Sequence, residues 1–316
     1  MRQVPGLKLW FVLAMCLGLT ARPGQADVSL EFFLGERPAG LERAAAYIYK
    51  TVDQVALPAF VVTPQGWQAA DRRPAIVFYF GGGWRSGSPS QFATQAEYLA
   101  SRGMVAVCVE YRVHSRHQAR VSDCVADAKS ALRWVRSHAA LLGIDPARIA
   151  AAGGSAGGHL AAAVATLQQF DDPQDDAAVS CRPDACALFN PAVDLSPEGL
   201  GRDPASAQHT EMASRLGADL HALSPIEHVA AGLPPTIIFH GEADATVPYA
   251  QVVAYRDAMV QAGNRCDLVG YPEQPHGFFN ANREDRGPYE DTLRRLDEFL
   301  ASLGWLSGPP TIPRKE

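Results

Sequence analysis

Short apolar runs of strand length alternate along this chain with longer segments whose apolar residues recur every three and four positions. The runs at residues 75–80, 105–111, 149–152, 185–189, 236–240 and 267–271 read as buried strands, and those at 47–52 and 55–62 as an antiparallel opening pair. Between them, residues 91–101, 121–138, 157–167, 249–262 and 288–303 carry helical periodicity, with Pro248 and Pro288 near two of the starts. Strands that are apolar on both faces and separated by helices must lie in a mostly parallel sheet covered on both sides, which fixes the class as α/β. No internal repeat or low-complexity linker divides the chain, so residues 27–316 are expected to form one domain. Residues 194–231, after the sixth strand, are too long for a simple crossover and carry a helical pattern at 205–216. They are expected to form a short cap over the end of the sheet.

The 316 residues include 28 Lys and Arg against 34 Asp and Glu, a net charge of −6, with no block of like charge. That excludes the electrostatic footprint of a nucleic-acid binder. Arg2 and Lys8, the apolar run at 9–19 and the small residues of Gly24-Gln25-Ala26 read as a signal peptide over residues 1–26, and imply a secreted or periplasmic protein. The run falls short of the roughly 20 residues that cross a bilayer, and no later stretch is apolar enough, so stable membrane insertion is not expected. Leu13-Ala14-Met15-Cys16 resembles a lipoprotein box, but Met15 is large for that position, and anchoring through Cys16 is disfavoured. Of the five remaining cysteines, Cys181 and Cys186 enclose four residues and are the candidate disulfide, since export permits one. None has metal-site spacing with histidine, and no metal or organic cofactor is expected. His114 and His117 have a spacing that suits a metal but lack further ligands.

Gly153-Gly154-Ser155-Ala156-Gly157 fits G-x-S-x-G. It stands between a buried strand and a helix start, the strand–turn–helix context in which a serine is pushed out on a tight turn. A phosphate cradle would want a Lys beside the serine, and none is present. A serine hydroxyl needs a base, and the base an orienting carboxylate. His276, in Gln274-Pro275-His276-Gly277-Phe278, supplies the first. Asp244, in the loop after an apolar strand, supplies the second, with Asp194 as the rival acid. Gly81-Gly82-Gly83-Trp84 closes another strand, where backbone N–H groups can approach a developing oxyanion. Gly82, Gly83 and the N–H of Ala156 are the candidate donors. Trp84 could stack a sugar or pack against its own turn.

Over residues 75–305 the sequence resembles the α/β-hydrolase esterases related to acetyl esterase, the hormone-sensitive-lipase relatives and the BD-FAE-type hydrolases. The resemblance is carried by Phe80-Gly81-Gly82-Gly83-Trp84, Glu110-Tyr111-Arg112, Gly143-Ile144-Asp145-Pro146, Gly153 to His159, Ser224-Pro225, His240 to Pro248 and His276-Gly277-Phe278. It implies nucleophile, acid and base at Ser155, Asp244 and His276 and oxyanion glycines at Gly82 and Gly83. Phe80 stands where many relatives have His, so the bonds that brace the glycine turn must differ. The implied activity is hydrolysis of small-molecule or carbohydrate esters, short-chain and acetyl-like, through an acyl-enzyme. A prolyl-oligopeptidase-like peptidase would share the site but lacks room for its propeller; a lactonase would use the same triad; an inactive binding protein would have lost a site residue. Oligomeric state is not legible.

Overall fold

The computed structural model describes residues 29–203 and 205–312. The proposed signal peptide and Cys16 lie outside them. Eight strands form one sheet in the order β1-β2-β4-β3-β5-β6-β7-β8: β1 Ala45–Val52, β2 Val55–Val62, β3 Arg73–Tyr79, β4 Val105–Val109, β5 Ile144–Gly154, β6 Ala185–Phe189, β7 Thr236–Gly241 and β8 Cys266–Tyr271. β1 and β2 pair antiparallel, as do β2 and β4, and every pairing from β4 onward is parallel. β5 begins at Ile144, earlier than its apolar run, because Ile144 already pairs with Arg73 before a register shift. Every residue of β4, β6 and β7 is buried, as a parallel sheet with two covered faces requires.

The main helices are α1 Ala93–Ser101, α3 Val121–Ser137, α4 Ala156–Thr166, α7 Tyr249–Gln261 and α8 Gly287–Ser302, with α2 a single turn at His114–His117. Val121, Cys124, Val125, Ala128, Ala131, Leu132 and Val135 make the buried stripe of α3 at three and four spacing. Arg120 N–H donates to the Asp123 carboxylate at its start (2.8 Å). Two apolar layers result: α3, α4 and α7 pack on one face, α1 and α8 on the other. On the second face the fully buried Asp297 of α8 binds Arg102 Nε (2.6 Å) and Tyr98 Oη (2.6 Å) at the end of α1. Burying this carboxylate is tolerated because both its oxygens are bonded.

The segment between β6 and β7 carries α5 Ala207–Ser214, shorter than its sequence pattern, and the single turn α6 Leu220–Leu223. No helix among the described residues is long and apolar enough to cross a membrane. The expected Cys181–Cys186 disulfide is not formed, and all five described cysteines are free thiols. Cys186 is the second residue of β6 and points beneath α4, its thiol facing Ala161 O at 3.7 Å. Cys181 sits in the preceding loop beside Arg133 and Lys129. Between them, Asp184 is fixed to Ile149 by a pair of bonds (2.8 and 2.9 Å), which anchors the chain between the two cysteines.

The cap segment is tied to the sheet from beneath. His159 on α4 is fully buried, and its Nε2–H donates to Leu223 O (2.8 Å), while Nδ1 has no partner. Burial pushes this imidazole down from 6.5 to about 4, against the opposing effect of the Leu223 bond. A folded-state value below the unfolded one means stability that is complete above the unfolded pKa and lost as pH falls toward the folded one. Between pH 7 and 4 the protein is therefore expected to lose on the order of 3 kcal/mol through this group. Urea unfolding of His159→Gln, which keeps a donor for Leu223, should show the wild-type advantage at pH 7 shrinking at pH 4; parallel losses in both proteins would contradict the assignment.

Candidate active site

β5 runs straight into α4 through Ser155, whose backbone sits at φ 53° and ψ −118°. That left-handed φ is costly for a residue with a side chain. It is held by bonds on both sides: Ser155 N–H donates to Phe189 O (2.9 Å), and Ser155 O accepts from His159 N–H (2.9 Å). The flanking positions admit no side chain, since a Cβ at Gly153 would lie 2.3 Å from Gly157 O and one at Gly157 2.0 Å from Tyr79 O. Glycine at both ends lets α4 start against β3 and leaves the Ser155 hydroxyl projecting from the turn.

His276, in the loop after β8, receives that hydroxyl: Ser155 Oγ lies 2.9 Å from its Nε2. Its Nδ1 lies 2.6 Å from Asp244 Oδ2 in the loop after β7. An ionised carboxylate only accepts, so Nδ1 carries the proton and Nε2 is left as acceptor for the serine. Asp244 Oδ1 accepts from Thr246 and Val247 N–H (2.8 and 2.9 Å). Its other oxygen also faces His240 Nε2 (3.3 Å), which is 2.9 Å from Val247 O. Burial would raise the Asp244 pKa, but bonds from His240, His276 and Val247 outweigh it and hold the carboxyl well below its ordinary value. Its side chain is 0% exposed, whereas that of His276 is 25% exposed and open to solvent. Asp194, the rival acid, instead caps the turn into the cap segment by accepting from Ser196 N–H (2.9 Å).

The turn Gly81-Gly82-Gly83 after β3 lies against Ser155: a Cβ on Gly81 would stand 3.3 Å from Ser155 Cβ. Gly82 has φ 124°, and a Cβ there would meet Ser86 O at 2.1 Å. The N–H groups of Gly82, Gly83 and Ala156 have no hydrogen-bond partner among the described residues. Donors left free in a turn that lies against a serine are what an oxyanion cradle would require. The Trp84 ring is buried edge-to-face on His159 (5.0 Å between centroids), so it packs under the turn and presents no stacking face for a sugar.

Phe80 stacks on Tyr111 (4.2 Å), and Tyr111 Oη donates to Phe80 O (2.7 Å). The polar bracing of the turn comes from Gln91, in a 3-10 turn at Pro89–Phe92. Gly81 N–H donates to Gln91 Oε1 (2.6 Å), Gln91 Nε2 donates to Asn280 Oδ1 (3.0 Å), and Asn280 Nδ2 donates to Gly277 O (2.8 Å). One chain of bonds thus joins the glycine turn to the loop that carries His276. Asn190, just after β6, accepts from Gly277 N–H (2.9 Å), and Arg283 donates to His276 O (2.8 Å). Of the residues the sequence points to, Ser155, His276 and Asp244 are joined by hydrogen bonds, Ala156 follows the serine, and Gly82 and Gly83 lie in the turn whose Gly81 stands against it. Gln91, Asn190, His240 and Asn280 were not singled out; the departure at Phe80 was the one signal that another residue must brace the turn.

Residues 62–259 match the BD-FAE family model. Among solved structures, the apo form of esterase 2 from Thermogutta terrifontis is similar at 51% identity and TM-score 0.79, covering 84% of this chain and 96% of that one. Further structures of that esterase carry propionate or butyrate, and one is phosphorylated by paraoxon. Carboxylesterase NlhH of Mycobacterium tuberculosis is 31% identical over 66% of this chain and 68% of its own length. A probable isoprenylcysteine alpha-carbonyl methylesterase of Arabidopsis thaliana is 27% identical over 65% of this chain and 45% of its own. This chain spans about half the length of the first three curated relatives it matches. The order of its strands, the serine turn between β5 and α4 and these likenesses agree: the chain belongs to the BD-FAE family and has the α/β-hydrolase fold.

Proposed function

We propose that this protein is a serine carboxylic-ester hydrolase acting through an acyl-enzyme. The observation that carries the reading is the continuous relay from the Ser155 hydroxyl through both His276 nitrogens to a buried, ionised Asp244, at 2.9 and 2.6 Å. His276 takes the serine proton as Oγ attacks the ester carbonyl, and the resulting oxyanion accepts from the Gly82, Gly83 and Ala156 amides. His276 then gives its proton to the leaving alcohol. Water, activated by the same imidazole, releases the acid and restores the hydroxyl. Asp244 stays charged throughout, which fixes the imidazole tautomer and stabilises imidazolium at each transfer.

The acyl group in this reading is short. The cap segment is small, and the similar Thermogutta terrifontis enzyme has been solved with propionate and butyrate. Acetyl esters, including those on polysaccharides, are the proposed natural substrates of an exported mature chain that begins near residue 27.

Purified protein assayed on p-nitrophenyl esters from acetyl to octanoyl should prefer the shorter chains. Ser155→Ala should lower kcat by about 10³-fold or more with an unchanged melting temperature. Equal activity of wild type and Ser155→Ala on every ester would overturn the reading, and acetate release from acetylated xylan tests the polysaccharide proposal separately. Gln91→Leu leaves Gly81 N–H and Asn280 unbraced. It should lower kcat about 10- to 100-fold with little change in KM, because the donors matter most once charge develops. A loss confined to KM would place Gln91 in ground-state binding instead.

A further inference from the structure

Two clefts open from opposite ends of the glycine turn, and they differ in charge. One is lined by Gly81, Gly82, Ser90, Gln91, Thr94 and Asn280 and has no charged side chain among the described residues that line it. The other lies between the turn and the Asp244 loop, bordered by Gly83, Ala245 and Thr246, with Arg202, Glu211 and Arg215 from the cap segment. Glu211 and Arg215 neutralise each other through two contacts (2.8 and 2.9 Å), and Arg215 Nη1 also donates to Gly83 O (3.2 Å). The Arg215 bond holds the Glu211 carboxyl below its ordinary value, so that carboxylate is ionised and committed. Arg202 has no such partner. Its guanidinium is half-buried, its Nη1 rests 3.2 Å from the Met212 thioether, and no carboxylate among the described residues comes within ion-pair distance. Arg85, close enough to act on the Glu211 charge, adds to the positive field.

A thioether is a weak acceptor, so a carboxylate entering the cleft would displace it from Arg202 at little cost. The planar guanidinium fork of donors is shaped for a carboxylate. We propose that this second cleft takes an anionic, carboxylate-bearing half of the ester, with Arg202 as its ion-pair partner, while the uncharged half lies in the first cleft. The proposal rests on the esterase reading and names the substrate class for that site. Arg202 acts as a specificity-determining residue: it touches the remote charge and not the reacting carbonyl.

Two substrate pairs separate the two places the charge can sit. Mono-p-nitrophenyl glutarate against p-nitrophenyl pentanoate puts it on the acyl half, and 4-acetoxybenzoate against 4-acetoxybenzamide on the alcohol half. The expected result is that Arg202→Gln lowers the charged-to-neutral ratio of kcat/KM at least tenfold for one pair, chiefly through KM. Arg202→Lys should restore part of it, and 0.5 M NaCl should lower the wild-type ratio. Whichever pair responds assigns the carboxylate to that half. Unchanged ratios in both pairs, in a correctly folded variant that still hydrolyses the neutral esters, would overturn this proposal alone. Failure of the wild type to hydrolyse any ester would overturn the esterase reading and this proposal with it.

Discussion

The backbone of Ser155 is the point on which the rest of the site depends. A residue with a side chain held at φ 53° is under strain. The turn persists because β5 and α4 are both anchored deep in the core, with every residue from Ile149 to Gly154 buried or nearly so and α4 buried along almost its whole length. The glycines at 153 and 157 are the condition for that anchoring, since any Cβ there would collide with the Gly157 or Tyr79 carbonyl. The consequence reaches further than one hydroxyl. Starting α4 at Ala156 leaves that residue's N–H orphaned, and the same close approach brings the glycine turn after β3 against the serine. The proposed nucleophile and its oxyanion donors are thus produced by one packing arrangement.

Around this fixed point the remaining groups come from strand ends. β3, β5, β7 and β8 all point their C-terminal ends to one edge of the sheet, where parallel pairing gathers the glycine turn, Ser155, Asp244 and His276. What the sheet cannot supply is fine placement of loops, and this is done by polar side chains. Gln91 and Asn280 join the glycine turn to the His276 loop, Asn190 holds that loop from the end of β6, and His240 shares Asp244 with His276. Asp244, His276 and the glycine turn are therefore coupled mechanically, so a disturbance in one loop is transmitted to the others.

The sheet was legible because two-sided burial forces near-continuous apolar runs, and Val105–Val109 and Ala185–Phe189 can be little else. Ser155 was legible because its turn needs glycine on both sides, which leaves a local signature. Asp244 and His276 were legible from their positions just after strands and their order in the chain. Gln91 and Asn280 were not: their bond joins residues 189 positions apart, and neither belongs to a local pattern. The Cys181–Cys186 pairing failed for a related reason. Spacing states how much chain separates two thiols but not which way each points, and β6 turns Cys186 into the core. The unpartnered guanidinium of Arg202 was equally hidden, since it is defined by the carboxylates that the fold does not bring near it.

Every proposed step runs through Ser155 as the nucleophile that receives the acyl group. Paraoxon tests this directly, because it phosphorylates a serine whose hydroxyl is activated by a neighbouring base. The protein should take up one diethylphosphoryl group per chain, mapped by peptide mass spectrometry to Ser155, with ester hydrolysis lost in proportion to labelling. An adduct on any other residue, or full hydrolysis by protein labelled at Ser155, would contradict it.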